Sequence, residues 1–502
     1  MKEPQQARLL QLLAARQKKE GRGMKLRELL TGIECDIFGE EQIEIEGIAY
    51  DSRKVQKGYL FFCIKGYQSD GHQYAKSAYE AGAVCLVVTQ RQDLPVTQVV
   101  VKDDRAAMAL ISAAFYGHPA ERLRMVGVTG TSGKTSTTYL LKSIFEHEGS
   151  KVGLLGTIAN IVGDQVIPAE RTTPEAPDLQ KLLADMLKAG IDTVVMEVSS
   201  HSLYLKRVYG IRFQGAIFTN LTQDHLDFHG DFEHYRDAKA ILFANAEQSA
   251  VNADDPFGEA MIAAAAGQVQ TYGIKNKANV VAKGIELGNA GSRFIMAKEG
   301  TQLPILLQTP GMFSVYNALA AITVSFMLGV DMISIKQGIE AVSAVPGRFE
   351  RLDTRGGDYS IILDYAHKPD SLESTLKTAR GFSKGRLVCI FGCGGNRDAG
   401  KRPIMGEIAE RLADFVIVTS DNPRFEQPGE IIEQILTGMK KENHIVVEDR
   451  RSAIHYALEH AQKGDVIILA GKGHEDYQEI CGQHFPFDEK VIVSQILDEL
   501  GR

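Results

Sequence analysis

No stretch of this 502-residue chain is apolar for long enough to span a bilayer. The richest run, Ala318 to Val330, is short and ends at Asp331, which suits a helix of a protein core. Residues 1–23 are polar and mixed in charge, with Leu9, Leu10, Leu12 and Leu13 at helical spacing, and they lack the apolar centre of a secretory signal. They read as an N-terminal extension to a globular protein that opens near Met24. Cysteine is sparse: six residues without paired metal-ligand spacing, the pattern of reduced thiols in a cytoplasmic protein. Basic charge is not in excess. A formal net charge of −8 argues against nucleic acid as a principal partner, yet leaves room for local basic pockets that take anionic small molecules. What remains is an ordinary globular composition, 44% hydrophobic and 24% charged, long enough for about three domains.

Along the chain, short apolar runs alternate with helical stretches, the pattern of an α/β protein with mostly parallel sheets. Turn signals at Gly117-His118-Pro119 and Val345-Pro346-Gly347 place boundaries that give units of 24–118, 119–345 and 346–502. In the third unit, polar clusters follow the apolar runs at Asp364, Gly392 to Arg397, Asp421 to Arg424 and Gly471 to Glu475. Nucleotide-binding α/β folds carry their ligand groups at such strand ends.

The most telling stretch is Gly127-Val128-Thr129-Gly130-Thr131-Ser132-Gly133-Lys134-Thr135-Ser136, between a strand-like Met125-Val126 and a helix-like Thr137-Thr138-Tyr139-Leu140-Leu141. Strand, glycine-rich turn and helix form a phosphate-cradling loop, in which inward-facing N–H groups and a helix N-terminus favour an anion. Lys134 supplies a positive charge for the outer phosphates and Thr135 a hydroxyl for Mg²⁺. The pattern departs from the usual one at Val128, where a glycine is expected, and its glycine is displaced to Gly130. The chain is expected to bind a nucleoside triphosphate.

Other residues carry chemistry with less force. Glu197 ends the apolar run Thr193 to Met196, where a second Mg²⁺ contact belongs, although a capping glutamate is the plainer alternative. Asp224, His225 and Asp227 crowd the end of another strand-like run and suit a metal or a phosphate. On chemistry alone Lys239 is an ordinary helix lysine. Ser52 and Arg53 suit an anionic group, and Asn396 and Arg397 follow a second glycine turn. Asp421-Asn422-Pro423-Arg424 is either a simple turn or a site for a zwitterion, with the guanidinium on a carboxylate and the acid on an ammonium.

Taken together, Gly130-Thr131-Ser132-Gly133-Lys134-Thr135, Thr172-Thr173-Pro174, Glu197-Val198-Ser199-Ser200-His201, Asn220-Leu221-Thr222-Gln223-Asp224-His225, Pro346-Gly347-Arg348-Phe349-Glu350 and Asp364-Tyr365-Ala366-His367 resemble the Mur ligase family of peptidoglycan synthesis. The resemblance covers residues 24–502 and, through Asp51-Ser52-Arg53 and Gly471-Lys472-Gly473-His474-Glu475, points to the MurE type. It implies three domains: a UDP-sugar-binding domain, a central phosphate-loop ATPase domain and a C-terminal Rossmann-like domain for the amino acid. The activity implied is an ATP-dependent amide ligation, through an acyl phosphate, of meso-diaminopimelate to the D-glutamate side chain of UDP-N-acetylmuramoyl-L-alanyl-D-glutamate.

By the same resemblance, Gly130 to Ser136 with Asn317, Arg348 and Asp364 hold ATP. Thr135, Glu197, His225 and a carbamylated Lys239 hold Mg²⁺, and Lys134, Glu197, His225 and Lys239 serve catalysis. Ser52, Thr172, Thr173, Ser199 and Arg207 take the UDP-substrate, and Arg397, Asp421, Asn422, Pro423, Arg424, Gly471 and Glu475 take diaminopimelate. A cytoplasmic monomer is expected, acting on these small molecules without nucleic acid or membrane insertion. The alternatives are a lysine-adding ligase of the same type, a folylpolyglutamate synthase, a GTP switch and a non-catalytic sensor of muramyl precursors. A GTP switch needs Asn-Lys-x-Asp, and the nearest stretch, Asn276-Lys277-Ala278-Asn279, ends in the wrong residue.

Overall fold

The computed structural model describes residues 23–66, 69–288 and 291–502; apart from Gly23, the expected N-terminal extension lies outside the described residues. Two compact units emerge. One comprises the described residues up to Leu123 with Pro174–Gly190 and His201–Ile211, and the other Arg124–Thr173, Ile191–Ser200 and Arg212–Arg502.

The first unit holds a five-stranded sheet of Cys35–Phe38 (β1), Gly47–Ala49 (β2), Tyr59–Phe62 (β3), Cys85–Val88 (β4) and Thr97–Val101 (β5), in the order β1-β5-β4-β3-β2. β1 runs antiparallel to β5, and the remaining pairs are parallel. Leu60, Phe61 and Phe62 of β3 are fully buried, as are all residues of β4, so both read in sequence as unbroken apolar runs. Helix Asp104–Phe115 (α1) begins where the Asp103 side chain accepts from the Ala106 N–H, and it lays Ala107, Met108 and Ile111 into this core. Met24–Lys25 pairs antiparallel with Glu44–Ile45, close to where the globular chain was expected to open.

The second unit carries two larger sheets. The strands of one are Arg124–Thr129 (β6), Val152–Leu155 (β7), Ala159–Val162 (β8), Gln165–Pro168 (β9), Thr193–Glu197 (β10), Phe213–Phe218 (β11), Ala246–Asn252 (β12), Gln268–Gly273 (β13), Val280–Gly288 (β14), Gly291–Lys298 (β15) and Thr301–Leu307 (β16). Their order is β9-β8-β7-β10-β6-β11-β12-β13-β14-β15-β16, parallel from β7 to β14 and antiparallel at both edges. The order places β10, β6 and β11 side by side. Their carboxyl ends bring Glu197, the phosphate loop and the segment from Asn220 together. Helix Lys134–Glu148 (α2) follows the loop, buries Leu140, Leu141, Ile144 and Phe145, and ends at Gly149 in the left-handed conformation. Phe232–Ala244 (α3) carries Lys239. Met312–Met327 (α4) is buried from Ala318 to Val324 and is the core helix expected from its composition.

The other sheet consists of Glu350–Leu352 (β17), Ser360–Asp364 (β18), Leu387–Phe391 (β19), Phe415–Val418 (β20), His444–Val446 (β21) and Val466–Ala470 (β22), in the order β17-β18-β22-β19-β20-β21. Only β17 is antiparallel to its neighbour. Pro369–Arg380 (α5) packs Leu372 and Leu376 on one face, while Arg450–Glu459 (α6) and Glu489–Glu499 (α7) pack Ile454, Leu458, Ile492 and Ile496 on the other. A hairpin, Tyr477–Ile480 (β23) with Gln483–Pro486 (β24), turns at Cys481. This is the α/β architecture expected, with a Rossmann-like C-terminal sheet.

Candidate active site

Backbone geometry explains the displaced glycine. Val128 lies inside β6, paired with Ile217 on one side and Glu197 on the other, so the loop starts later than the usual pattern allows. The turn falls at Gly130, whose φ is +151° and where a Cβ would collide with Thr219 Oγ1. At Gly133, φ +86°, a Cβ would collide with Asn317 Oδ1. The Ser132 N–H donates to Asn220 Oδ1 at 2.9 Å, Thr219 Oγ1 donates to the Ser132 carbonyl at 2.6 Å, and Thr131 Oγ1 lies 3.0 Å from the Tyr235 hydroxyl. Lys134 Nζ donates to the carbonyls of Gly130 and Thr131 at 2.8 and 3.2 Å. Burial first, and Lys368 second, bring its ammonium down to about 8.

Positive charge accumulates around the loop. Lys239 is buried on α3, its Nζ lying 4.4 Å from the Tyr235 ring centroid, and among the described residues it makes no hydrogen bond. Burial, Lys134 and Lys368 push its ammonium well below the ordinary lysine range, against the pull of Asp224 and Asp255. Lys368 forms an ion pair with Asp224 at 2.6 Å, and His225 Nε2 lies 3.0 Å from the same carboxylate oxygen. Burial would raise the Asp224 carboxyl, but Lys368 and His225 overcome it and hold the group far below the carboxylate range. His225 adopts a left-handed backbone, φ +54°, and burial lowers its basicity. The side chain of Asp227 lies outside the described residues. Glu197, 1% exposed, accepts from the Thr157 N–H at 2.9 Å and the Thr157 hydroxyl at 3.1 Å.

A solvent-open cleft adjoins the loop, lined by Ser136, Asn317 and Arg348 together with apolar neighbours such as Leu140, Phe313 and Val345. Asp364 is not in its lining. It accepts from the Phe349 N–H at 2.6 Å and the Thr375 hydroxyl at 3.1 Å, bracing the backbone beside Arg348; burial raises its carboxyl.

At the carboxyl ends of β20 and β22 stands a second polar cluster. Asn422 donates to Glu475 Oε2 at 2.8 Å and accepts from Lys472 Nζ at 3.0 Å. Glu475 also accepts from the Tyr365 hydroxyl at 3.2 Å; burial, then Asp421, raise its carboxyl. Asp421 accepts from the Asn422 N–H through Oδ1, while its buried Oδ2 has no hydrogen-bond partner among the described residues. A Cβ at Gly471, φ +118°, would crowd that oxygen. Arg424, with φ +53° after Pro423, pairs with Glu479 at 2.8 Å and donates to the Gly395 carbonyl at 2.9 Å. Arg397 is exposed on the loop after β19 and makes no hydrogen bond among the described residues.

The remaining sequence-predicted residues fall in two places. In the second unit, the Thr173 hydroxyl donates to the Glu197 carbonyl at 2.8 Å and accepts from the Ser199 N–H at 3.1 Å, and Thr172 Oγ1 accepts from Thr157 at 3.1 Å. In the first unit, Ser52 opens a short 3₁₀ turn capped by Asp51, and the buried Arg207 pairs with Glu175 at 2.8 Å.

Three family models match the chain: "Mur ligase family, catalytic domain" over residues 44–124, "Mur ligase middle domain" over 128–325 and "Mur ligase, glutamate ligase domain" over 347–473. The chain belongs to the Mur ligase family. Among relatives of this Mur ligase, a Caldanaerobacter subterraneus protein is 50% identical over 95% of this chain and 99% of its own length, and a Clostridium acetobutylicum protein is 48% identical over 95% and 100%. Both are named UDP-N-acetylmuramoyl-L-alanyl-D-glutamate--2,6-diaminopimelate ligase. A solved structure of a ligase of that name is 30% identical, with a TM-score of 0.69 over 96% of this chain and all of the other. MurF of Thermotoga maritima, solved with ADP, shares the fold at 18% identity, with a TM-score of 0.62 over 90% of this chain and 97% of its own.

Sequence reasoning about this Mur ligase did not single out Lys368, Thr157 or Tyr365. Each is distant in sequence from its partner, 144 residues in the case of Lys368 and Asp224 by their numbering. Two of them had a visible signal: Tyr365 lies inside the Asp364 to His367 motif, and Lys368 stands directly after it and directly before a proline that opens a helix.

Proposed function

We propose that this Mur ligase joins meso-2,6-diaminopimelate to UDP-N-acetylmuramoyl-L-alanyl-D-glutamate at the expense of ATP, in peptidoglycan synthesis. The observation that carries this reading is the cluster of Asp421, Asn422, Arg424 and Glu475 at the carboxyl ends of β20 and β22, the two strands that flank β19, in a chain up to 50% identical to relatives named for that reaction. An amino acid with a second zwitterionic end needs a guanidinium for its distal carboxylate and acids for its distal ammonium. Arg424, with Arg397 at the rim, supplies the first, and Asp421 and Glu475 the second.

In this reading residues 24–118 bind the UDP-sugar, 119–345 bind ATP, and 346–502 bind the amino acid. Ser52 faces the uridine-diphosphate end, and Thr172, Thr173, Ser199 and Arg207 face the sugar and peptide. Gly130 to Ser136 cradle the phosphates, with Asn317 and Arg348 at the adenosine. Lys134 neutralises charge as a D-glutamate carboxylate oxygen attacks the outer phosphorus and ADP departs. The neutral acceptor amine, having lost its proton, then attacks the acyl carbon; inorganic phosphate leaves and an amide remains.

The donors fit Mg²⁺. Thr135 and Glu197 offer hard oxygen atoms, and Mg²⁺ takes few protein ligands because it keeps water and phosphate. Among the described residues no three His, Cys, Asp or Glu side chains form a cage, so the metal would lean on its substrates. Bound there, it would neutralise phosphate charge. His225 and Lys239 complete the set, Lys239 only once its amine carries CO₂ as a carbamate. The protein works as a cytoplasmic monomer; among the described residues no helix is long and apolar enough to cross a membrane.

The test is phosphate release from ATP with the UDP-dipeptide, with meso-diaminopimelate or L-lysine supplied in parallel. Release with diaminopimelate, accompanied by the tripeptide product, is expected. Release with lysine alone would overturn the specificity, and silence with both would overturn the ligase reading.

A further inference from the structure

Two ammonium groups share one acceptor at the mouth of the phosphate loop. Lys134 Nζ donates to the Thr131 carbonyl at 3.2 Å, and Lys368 Nζ donates to the same oxygen at 3.1 Å. Lys368 is 8% exposed. It stands directly before α5, whose first residue, Pro369, fixes the backbone there. One helical step further, Ser371 Oγ lies 3.2 Å from Ser132 Oγ, so this end of α5 is seated on the loop through two side chains.

Like charges placed together out of water repel strongly, and proteins tolerate the arrangement where an anion is to be bound. Lys134, Lys239, Lys368 and Arg348 all bear on this place, and the acids facing them are Asp224, Glu197 and, through Lys239, Asp255. Among the described residues Asp224 alone forms an ion pair with Lys368. A purely structural Lys368–Asp224 bridge would need no second bond to the loop. That second bond places the ammonium where the outer phosphate of a nucleotide would meet Lys134.

We infer that Lys368 is a second cationic contact for the outer phosphoryl group of ATP, held by Asp224 and the Thr131 carbonyl until the nucleotide draws it off. The inference rests on the ATP-dependent ligase reading and adds a residue to it. Lys368 distinguishes ATP from ADP, because ADP lacks the group it touches.

The experiment compares binding of the β,γ-imido analogue of ATP and of ADP to the full chain, by calorimetry without acceptor substrates, in wild type, K368M, K368Q and K368R. K368M is expected to weaken the analogue by about 10- to 150-fold, the loss of one hydrogen bond to a charged group, while ADP changes by less than about threefold. K368Q, neutral and polar, should show the same split and serves if K368M does not fold. K368R should recover part of the analogue's affinity. Equal weakening of both nucleotides, or of neither, overturns the inference. Because no acceptor is present, that result is distinct from a failure of wild type to ligate either amino acid, which would overturn the function instead.

Discussion

Arg348 Nη2 donates to Thr135 Oγ1 at 3.0 Å, while its guanidinium carbon lies 4.6 Å from the centre of the Tyr365 ring. One side chain thus touches the phosphate loop and stacks on the tyrosine whose hydroxyl donates to Glu475. Replacing Arg348 with Met removes both contacts and the positive charge beside the nucleotide cleft. We expect kcat/KM for ATP to fall by about 10- to 150-fold. Lysine should rescue little, since it cannot stack as a planar fork does. Steady-state kinetics in ATP would read this, and an unchanged value in Arg348→Met would remove Arg348 from the nucleotide site.

Burial first, and the nearby Lys134 and Lys368 second, drive the Lys239 ammonium well below the ordinary range. The unprotonated amine is the form that adds CO₂, and the two neighbouring cations that disfavour the ammonium favour the anionic carbamate. Lys239→Ala should lose nearly all turnover and regain some with a small added carboxylate. Wild type stripped of CO₂ should slow and recover with bicarbonate. Full activity in Lys239→Ala would dismiss the role.

Burial and Asp421 raise the Glu475 carboxyl above the ordinary glutamate range. If its carboxylate receives the distal ammonium of the amino acid, KM for diaminopimelate should climb as pH falls through that raised value, because the proton removes the charge. KM for ATP should not follow the same curve. In Glu475→Gln the acid limb of the diaminopimelate profile should vanish and KM should stay high throughout. A retained limb would assign the titration to another group.

Behind the same strand ends, Arg450 and Glu489 form an ion pair at 2.8 Å with both side chains wholly buried, and Arg450 also donates to the Ala470 carbonyl. Removing one partner strands a charge in the core, so Arg450→Met should destabilise the fold by about 3–5 kcal/mol. The double replacement Arg450→Met with Glu489→Leu should recover most of that loss in chemical denaturation. A double variant no more stable than the single would show the pair to be net stabilising.

The α/β class and the phosphate loop were legible because buried parallel strands write themselves as apolar runs and because glycines mark turns that no other residue can make. Glu197 was legible for the same reason, as the charged residue that ends the run Thr193 to Met196. Motif resemblance carried what chemistry could not: on its own terms Lys239 is indistinguishable from any helix lysine, and only burial on α3 gives it a distinctive state. Asp364 is expected among the adenosine contacts, and its bonds to the Phe349 N–H and the Thr375 hydroxyl beside the cleft are not written in local pattern. The partners of Lys368, Thr157 and Tyr365 were illegible because they depend on which strand ends meet, and strand order is not written in local pattern. The displaced Gly130 is the converse case, an anomaly of spacing that the extra length of β6 accounts for.

The hairpin turn at Cys481 has a practical consequence. Cys63, Cys85, Cys389 and Cys393 are buried, Cys35 is half-covered, and Cys481 is exposed, with its N–H bonded to the Arg424 carbonyl at 2.7 Å. A thiol-reactive dye added to the unaltered protein should settle first at Cys481. The chain therefore comes supplied with its own optical handle, one peptide hydrogen bond away from Arg424, the residue proposed above for the distal carboxylate.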